Sequence, residues 1–381
     1  MHGVAARTDP LVAAVERAIG LRRAIGGTGG CGVGVACRPR PQPIIGSIGC
    51  KNRSGETNMR LHRRQLLAAA AGLALARPAL AQGWPDRPIR IVVPFPPGGS
   101  NDIVARQLAE ALRPLLGQPV VVENRAGAGG NVGADAVAKA APDGYSLLLT
   151  APGPLAINEH LFREMPFRPE RDFAPLALIA SVPIVLMVTP GLAARSVAEL
   201  VALARQQPGR LAFGSSGNGS TNHLAGELFK TMAGIDITHV PYRGAAPAMT
   251  DLVGGTIQMM FDNMPAALPQ VRGGSVRGLA VAGTGRAAAL PDLPTVAESG
   301  LPGFEAEAWF GLVAPAATPG AVLNRLQQAC GQALAEPGLR ARLAESGAEP
   351  GTRLGTEFAQ FMTAERTKWG RVVTASGAQA G

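Results

Sequence analysis

The sequence predicts an α/β fold built as two lobes with a cleft between them. Three observations predict it. From Ile89 onward, short β-branched or apolar runs alternate with helical patterns. The same alternation restarts near Val185. In each series one strand stops at a turn rich in glycine and serine, and a helix follows at once. Strands alternating with helices imply a parallel sheet covered on both faces.

Taken in order, "IRIVVPF" reads as the first strand. "DIVARQLAEALRPLLG" is a helix, because Ile103, Val104, Leu108, Leu112 and Leu115 share one face and Gly117 stops it. "PVVVEN" is a strand, "NVGADAVAKAA" a helix and "YSLLLT" a buried strand. The second series runs "VLMVTP" (strand), "SVAELVALARQQ" (helix), "LAFGSS" (strand) and "STNHLAGELFKTMAG" (helix). It continues with "ITHVPY" (strand), "AAPAMTDLVGG" (helix), "TIQMMFDN" (strand) and "VRGLAVAGT" (strand). "FEAEAWFGLVAP" is an extended segment, and "PGAVLNRLQQACGQAL" and "TEFAQFMTAERTKWGRVV" are helices.

The chain has 381 residues and a formal charge of +9. All of that charge lies in front. Residues 1–81 hold 12 Lys+Arg and 3 Asp+Glu, whereas residues 82–381 hold 24 of each. The basic balance therefore does not make the remainder a nucleic-acid binder. The front contains an export signal over residues 59–81: Arg60, Arg63 and Arg64, then an apolar run from Leu66 to Ala76, then Ala79-Leu80-Ala81. "HRRQLL" leaves the Sec and twin-arginine routes both open. Residues 1–58 read as an upstream extension without periodicity, with translation expected to start at Met59. The expected location is periplasmic. Cys31, Cys37 and Cys50 fit no zinc spacing, and Cys330 stands alone in the mature chain. The expected domains are 82–187 plus 304–381, and 188–303.

Ligands of open α/β sheets bind where loops leave the carboxyl ends of the strands. Two βα lobes behind an export signal therefore point to a solute-binding protein, and to its strand-to-helix turns. The first turn is "VPFPPGGSND". Pro96 and Pro97 stiffen it, and Gly98 and Gly99 let backbone approach a ligand. Ser100 and Asp102 are caps for the next helix. A helix start offers unsatisfied N–H groups and about +0.5 of a charge, an anion site without a basic side chain. Ordinary capping explains the same residues. The second turn is "FGSSGNGSTNHLAGE", with hydroxyls from Ser215, Ser216, Ser220 and Thr221 and with Gly217 and Gly219. One such turn per lobe would let a carboxylate or dicarboxylate bridge the cleft.

Other motifs carry less. "GSSGN" ends in Asn218, so it is not a nucleophile elbow. "GAGGNVG" lacks dinucleotide-loop spacing. No phosphate loop or cofactor motif exists, and no cofactor or metal is expected. Ser216 or Ser220 with His223 keeps an exported serine hydrolase as the alternative. Asp262, ending "MMFD", could receive a ligand amine or cap a turn. In "HVPYRGAAPA", Tyr242 can stack or donate, and Arg243 could pair with a carboxylate or remain a surface charge.

The chain resembles the Bug family, the extracytoplasmic solute receptors of tripartite tricarboxylate transporters. The resemblance rests on "WPDRPIRIVVPFPPGGSNDIVAR", "GQPVVVENRAGAGGNVGADAVAKAAPDGYSLLL", "AINEHLF", "DFAPLALIA", "GSSGNGSTNHLAGELF", "HVPYRGAAPAMTDLVGG", "LPTVAESGLPGFEAEAWFGL" and "PAATPGAVLNRL". It implies a type II periplasmic binding fold, with lobe crossings near Val182 to Pro190 and Phe304 to Leu312. It also implies a monomeric receptor, not an enzyme, that hands a small carboxylate to membrane permease subunits. Carried over, the gripping loops are Phe95 to Asp102 and Ser215 to His223, with Thr150, Ala151, the rest of the stretch to Pro154, and Asp262. One departure is "TAPGPLAIN", where relatives often show a Gly-Thr-His-like stretch. Pro152 and Pro154 remove donors there.

Overall fold

In a computed structural model the described residues are 83–376. The upstream extension, the export signal and Cys31, Cys37 and Cys50 lie outside them. The strands are β1 (Ile89–Val93), β2 (Val120–Asn124), β3 (Ser146–Thr150), β4 (Phe173–Val188), β5 (Ala212–Ser215), β6 (Thr238–Pro241), β7 (Met259–Asn263), β8 (Arg277–Val281), β9 (Glu307–Pro315) and β10 (Glu349–Pro350). The helices are α1 (Ser100–Leu116), α2 (Asn131–Ala138), α3 (Asn158–Leu161), α4 (Pro169–Asp172), α5 (Val197–Gln206) and α6 (Thr221–Ala233). They continue with α7 (Ala245–Val253), α8 (Met264–Arg272), α9 (Gly320–Ala335), α10 (Pro337–Glu345) and α11 (Gly355–Ser376).

The strand order is β2-β1-β3-β9-β4-β7-β5-β6, with β8 and β10 also paired to β4. β1, β2 and β3 are mutually parallel, and so are β5, β6 and β7. The fully parallel sheet expected from the alternation is corrected at the centre. β9 runs antiparallel to both β3 and β4, and β4 runs antiparallel to β7 and β8. The reason is connectivity: β9 returns from the second group of strands and enters the first from the opposite direction.

β4 is the largest departure from the sequence reading, which placed a strand only from Val185. It spans 16 residues. Pro175 and Pro183 interrupt its pattern, since proline cannot donate to a ladder. The ladder accommodates proline with irregularities between Pro175 and Ala177 and between Leu178 and Ala180. Several more elements escaped the pattern, among them α4, α10 and β10. Two bear on the site: α8, which follows Asn263 directly, and a π-helical turn at Gly153–Ile157 that leads into α3.

Register decides how the strand ends meet. Thr150, the last residue of β3, pairs with Gly311 of β9, and Gly311 pairs with Leu178 of β4. Asn263, the last residue of β7, pairs with Ile184 of β4. β3 runs in the direction of β4 and β7 runs against it. Their carboxyl ends therefore point toward each other across a short span of β4.

The core follows this sheet. Ile184, Leu186 and Val188 of β4 are fully buried, as are Phe310, Leu312 and Val313 of β9. Phe261 stacks on Phe304 at 5.9 Å and meets the edge of Phe229 at 5.7 Å. α11 is held over β9 by Trp309 Nε1, which donates to Glu365 Oε2 at 2.8 Å, and Trp369 of α11 donates to the same oxygen at 3.0 Å. Arg366 pairs with Glu159 of α3 and with Glu170 of α4. Cys330 is buried and unpaired, and burial pushes its thiol up to about 12. No described helix is long and apolar enough to cross a membrane.

Leu186→Ala should cost about 2–5 kcal/mol in urea unfolding, through lost contacts and the cavity left behind. Val121→Ala, at a residue 53% exposed, should stay within about 0.5 kcal/mol. Equal effects at the two sites would contradict the placement of β4 at the centre of the core.

Candidate functional site

The facing strand ends enclose a small inner cavity of about 30 Å³. Phe95, Pro96, Gly99, Ser100 and Asn101 come from the β1–α1 turn, and Ala151 and Gly153 from the turn after β3. Ser216, Ser220, Thr221 and Asn222 come from the β5–α6 turn, and Ala245, Asp262 and Asn263 complete the wall. A wider outer cavity of about 540 Å³ shares Phe95, Pro96 and Ser216 and adds Gly217, Tyr242, Arg243 and Gly244.

Helices α1, α6, α7 and α8 all begin at the inner cavity. The first N–H groups of a helix lack intrahelical acceptors, and each helix start carries about +0.5 of a charge. The cap residues Gly99 of α1, Gly244 of α7 and Asn263 of α8 make no side-chain cap bond. No Lys, Arg or His lines the inner cavity. Its polarity is that of main chain, hydroxyl and amide groups and one carboxyl, Asp262.

The first turn is tied down by Asp102. Its carboxylate accepts from Gly98 N at 3.0 Å, Asn124 Nδ2 at 3.0 Å and Arg106 Nη2 at 2.9 Å. Burial alone would raise this carboxyl, but the hydrogen bonds from Arg106, Gly98 and Asn124 outweigh it and hold it below its ordinary value. Asn124 Nδ2 also donates to Phe95 O at 3.1 Å. Ser100 does not cap its own helix as expected. Its hydroxyl accepts from Ala266 N at 3.1 Å and donates to Asn263 O at 3.2 Å, so it caps α8 from across the cleft.

The second turn rests on two imidazoles. Ser220 caps α6, accepting from His223 N at 3.2 Å, and donates to Gly217 O at 2.7 Å. His223 Nδ1 accepts from Gly219 N at 3.3 Å. Ser215 Oγ accepts from Gly217 N at 3.2 Å and lies 2.7 Å from His239 Nε2. The His223 and His239 rings stack at 4.1 Å, with Phe213 below at 4.8 Å. Burial lowers His223 to about 4, and burial with the neighbouring His223 and Lys230 lowers His239 to about 3. Both rings are neutral at physiological pH.

This geometry sorts the residues singled out from sequence. Phe95, Gly99, Ser100, Ala151, Ser216, Ser220 and Asp262 meet at the inner cavity. Gly217 and Tyr242 line only the outer one, and the Tyr242 hydroxyl is spent on Asp251 Oδ2 at 2.6 Å. Pro97, Gly98, Asp102, Thr150, Ser215, Gly219 and His223 line neither. Gly98 takes φ +83° in its turn, with open space where a Cβ would stand. Gly219, at φ +79°, sits where a Cβ would stand 2.6 Å from Asn158 Oδ1. The hydrolase constellation does not assemble. His223 Nδ1 is occupied by Gly219 N–H, its backbone N–H bonds Ser220 Oγ, and neither Ser216 nor Ser220 bonds its ring.

Ala245 and Asn263 lie outside the loops carried over from sequence, and Asn101, Asn222 and Gly153 lie inside them without having been singled out. Asn222 donates to Asp262 Oδ1 at 2.7 Å, and Asn263 N donates to the same oxygen at 2.8 Å. The usable signal was Asn263 followed by Pro265, a helix start with proline in its first turn. Asp262 itself is 1% exposed. Burial pushes its carboxyl up to about 7, against the bonds from Asn263 and Asn222. Among the described residues no group of three or more His, Cys, Asp or Glu side chains is arranged to hold a metal.

A family model described as the tripartite tricarboxylate transporter family receptor matches residues 104–378. The chain is similar to protein BugT of Bordetella pertussis, 40% identical over 315 residues, which cover 82% of this chain and 96% of the relative. A solved R. palustris protein with adipate is 41% identical with TM-score 0.76, over 78% of this chain and 100% of the other. MatC from Rhodopseudomonas palustris, with bound malate, is 35% identical with TM-score 0.73, over 76% of this chain and 100% of the other. The α/β architecture is thus the periplasmic binding fold of such receptors, as the family resemblance implied.

Asp262 makes stability depend on pH in a defined sense. Below about pH 4 it is protonated in both folded and unfolded chains. Between about pH 4 and its folded value of about 7, only the unfolded chain releases the proton. Its contribution to stability therefore falls as pH rises through that window and levels off above it. Asp262→Asn lacks this loss. The stability of the variant relative to wild type should rise by up to about 1.4 kcal/mol per pH unit from pH 4 to 7, read by chemical denaturation. A constant difference would mean an ordinary, ionised Asp262.

Proposed function

The chain belongs to the tripartite tricarboxylate transporter receptor family, and on that premise we propose that it is a periplasmic receptor for a small carboxylate. It captures the anion between its two turns and delivers it to permease subunits in the membrane. The observation that carries the ligand class is the convergence of four helix starts on a cavity whose wall holds no cationic side chain. Main-chain N–H groups and helix dipoles suit a carboxylate. Relatives solved with adipate and with malate make straight-chain dicarboxylates the first class to try.

The reading takes residues 82–187 plus 304–381 as one lobe and 188–303 as the other. The support is that β4 exchanges its partner β9 for β7 between Pro183 and Ile184. Closure between such lobes excludes water and strengthens polar contacts. Close approach of the turns supports a closed form: Gly244, at φ +123°, has room for no Cβ, which would lie 2.7 Å from the Pro96 ring. The export signal read over residues 59–81 accords with a periplasmic receptor.

A thermal-shift screen against C4 to C6 dicarboxylates, tricarboxylates, acidic amino acids and aromatic acids tests the ligand class. A carboxylate at about 100 times its dissociation constant should add about 2.7 kcal/mol of stability. No shift across the whole panel would overturn the small-carboxylate reading. Gly244→Val should weaken any hit by tenfold or more in calorimetry, because the side chain wedges the turn away from Pro96. Ser216→Ala should cost about 1 kcal/mol of binding if its hydroxyl reaches the ligand.

A further inference from the structure

Asp262 stands out from the rest of the inner cavity. It is the one ionisable side chain in that wall. Its Oδ1 is fully used by Asn222 and Asn263, while Oδ2 is buried and has no hydrogen-bond partner. A buried carboxylate oxygen with no donor to meet is an unstable arrangement unless it carries a proton or faces an occupant.

The surroundings supply no charge to hold it ionised. β4 places Val185 opposite it, α6 contributes Asn222, α8 starts at Asn263, α1 brings Ser100 and Asn101, and α7 brings Ala245. The titratable groups of those and neighbouring elements are engaged elsewhere or set apart; Arg243, two residues before Ala245, is exposed in the outer cavity and does not line the inner one. Asp102 pairs with Arg106, Asp251 accepts from Tyr242, and Lys230 pairs with Asp236. Arg277 of β8 donates to the carbonyls of Pro190, Leu192 and Ala194, and His223 takes the Gly219 N–H. Glu227 lies one turn beyond His223 on α6 and interacts with Lys230. Burial and two hydrogen bonds alone set the acidity of Asp262.

We propose that Asp262 is the specificity-determining proton carrier of the site: in the complex it keeps a proton on Oδ2, donates it as a hydrogen bond to a carboxylate oxygen of the ligand, and makes capture take up one proton. The inference rests on the carboxylate-receptor reading above. Two carboxylates inside one water-excluded cavity cannot both stay ionised. The helix starts favour the ligand's negative charge, so the proton goes to Asp262. The balance is simple: ionised Asp262, one solvent proton and the ligand anion give neutral Asp262 hydrogen-bonded to the ligand anion, with no covalent step. An ammonium group on the ligand would require the opposite, an ionised Asp262.

Titration calorimetry decides. Succinate, glutarate and adipate are titrated into wild type and Asp262→Asn at pH 6.5, 7.5 and 8.5, each in two buffers of different ionisation enthalpy. With the free carboxyl titrating at about 7, wild-type affinity should fall about 25-fold from pH 6.5 to 8.5, as the protonated fraction falls. Close to one proton should be taken up per ligand at pH 8.5. Asp262→Asn keeps a donor and should bind with flat affinity and no uptake. Wild-type affinity that is flat, or that tightens as pH rises, overturns the proposal, and the proton count in wild type does so even if the variant fails to fold. Loss of pH dependence with binding intact strikes only the role of Asp262. Absence of binding in both proteins at every pH strikes the receptor reading, and this proposal with it.

Discussion

The antiparallel seat of β4 between β9 and β7 is the constraint on which the site depends. A wholly parallel sheet would send every strand's carboxyl end to the same edge, and the two turns would lie side by side. Because β4 runs with β3 but against β7, the ends of β3 and β7 point toward each other. The span between them on β4, from Leu178 to Ile184, sets the width of the cleft. Every wall residue inherits its position from that register. Pro183 sits where the strand changes partners, at a place where a missing ladder donor costs least.

Within that frame the inner cavity holds no cationic side chain. Arg106 holds Asp102 and Arg277 gathers three carbonyls, while Arg243 stands exposed in the outer cavity. The first turn is fixed by one carboxylate serving three donors, and the second by a neutral imidazole stack. These supports differ in chemistry but do the same work, ordering the backbone of a loop at the cavity. Preorganisation of that kind reduces the ordering cost of binding.

Much of the fold was legible because the pattern is strong where burial is one-sided. α1 has a clear apolar face and an αL glycine at its end, and the sequence reading matched it closely. β4 was half hidden because its two prolines look like breakers, and only tertiary pairing shows that the ladder absorbs them. α8 was hidden because a strand ends and a helix begins with no loop between, so the change of period has no punctuation. At the site, the turns could be found from glycine and serine alone. Roles could not. Ser100 reads as a local cap, and nothing in its neighbourhood says that its hydroxyl serves Ala266, 166 positions away. Asp102 reads as a ligand contact or cap, and its true partners, Arg106 and Asn124, emerge only from the fold. Asn222 and Asn263 matter through Asp262, a relation that no spacing encodes.

The absence of side-chain caps at Gly99 and Gly244 has an evolutionary consequence under the proposed reading. Where an anion is anchored by arginine, changing that residue loses the ligand and the anchor together. An anchor made of peptide backbone is one that no substitution deletes. Under that reading Phe95, Ala151, Ser216 and Ala245 can drift in size and polarity, reshaping the room around a ligand while a backbone grip persists. Such a scaffold can duplicate and diversify by single steps, each intermediate still able to hold some acid.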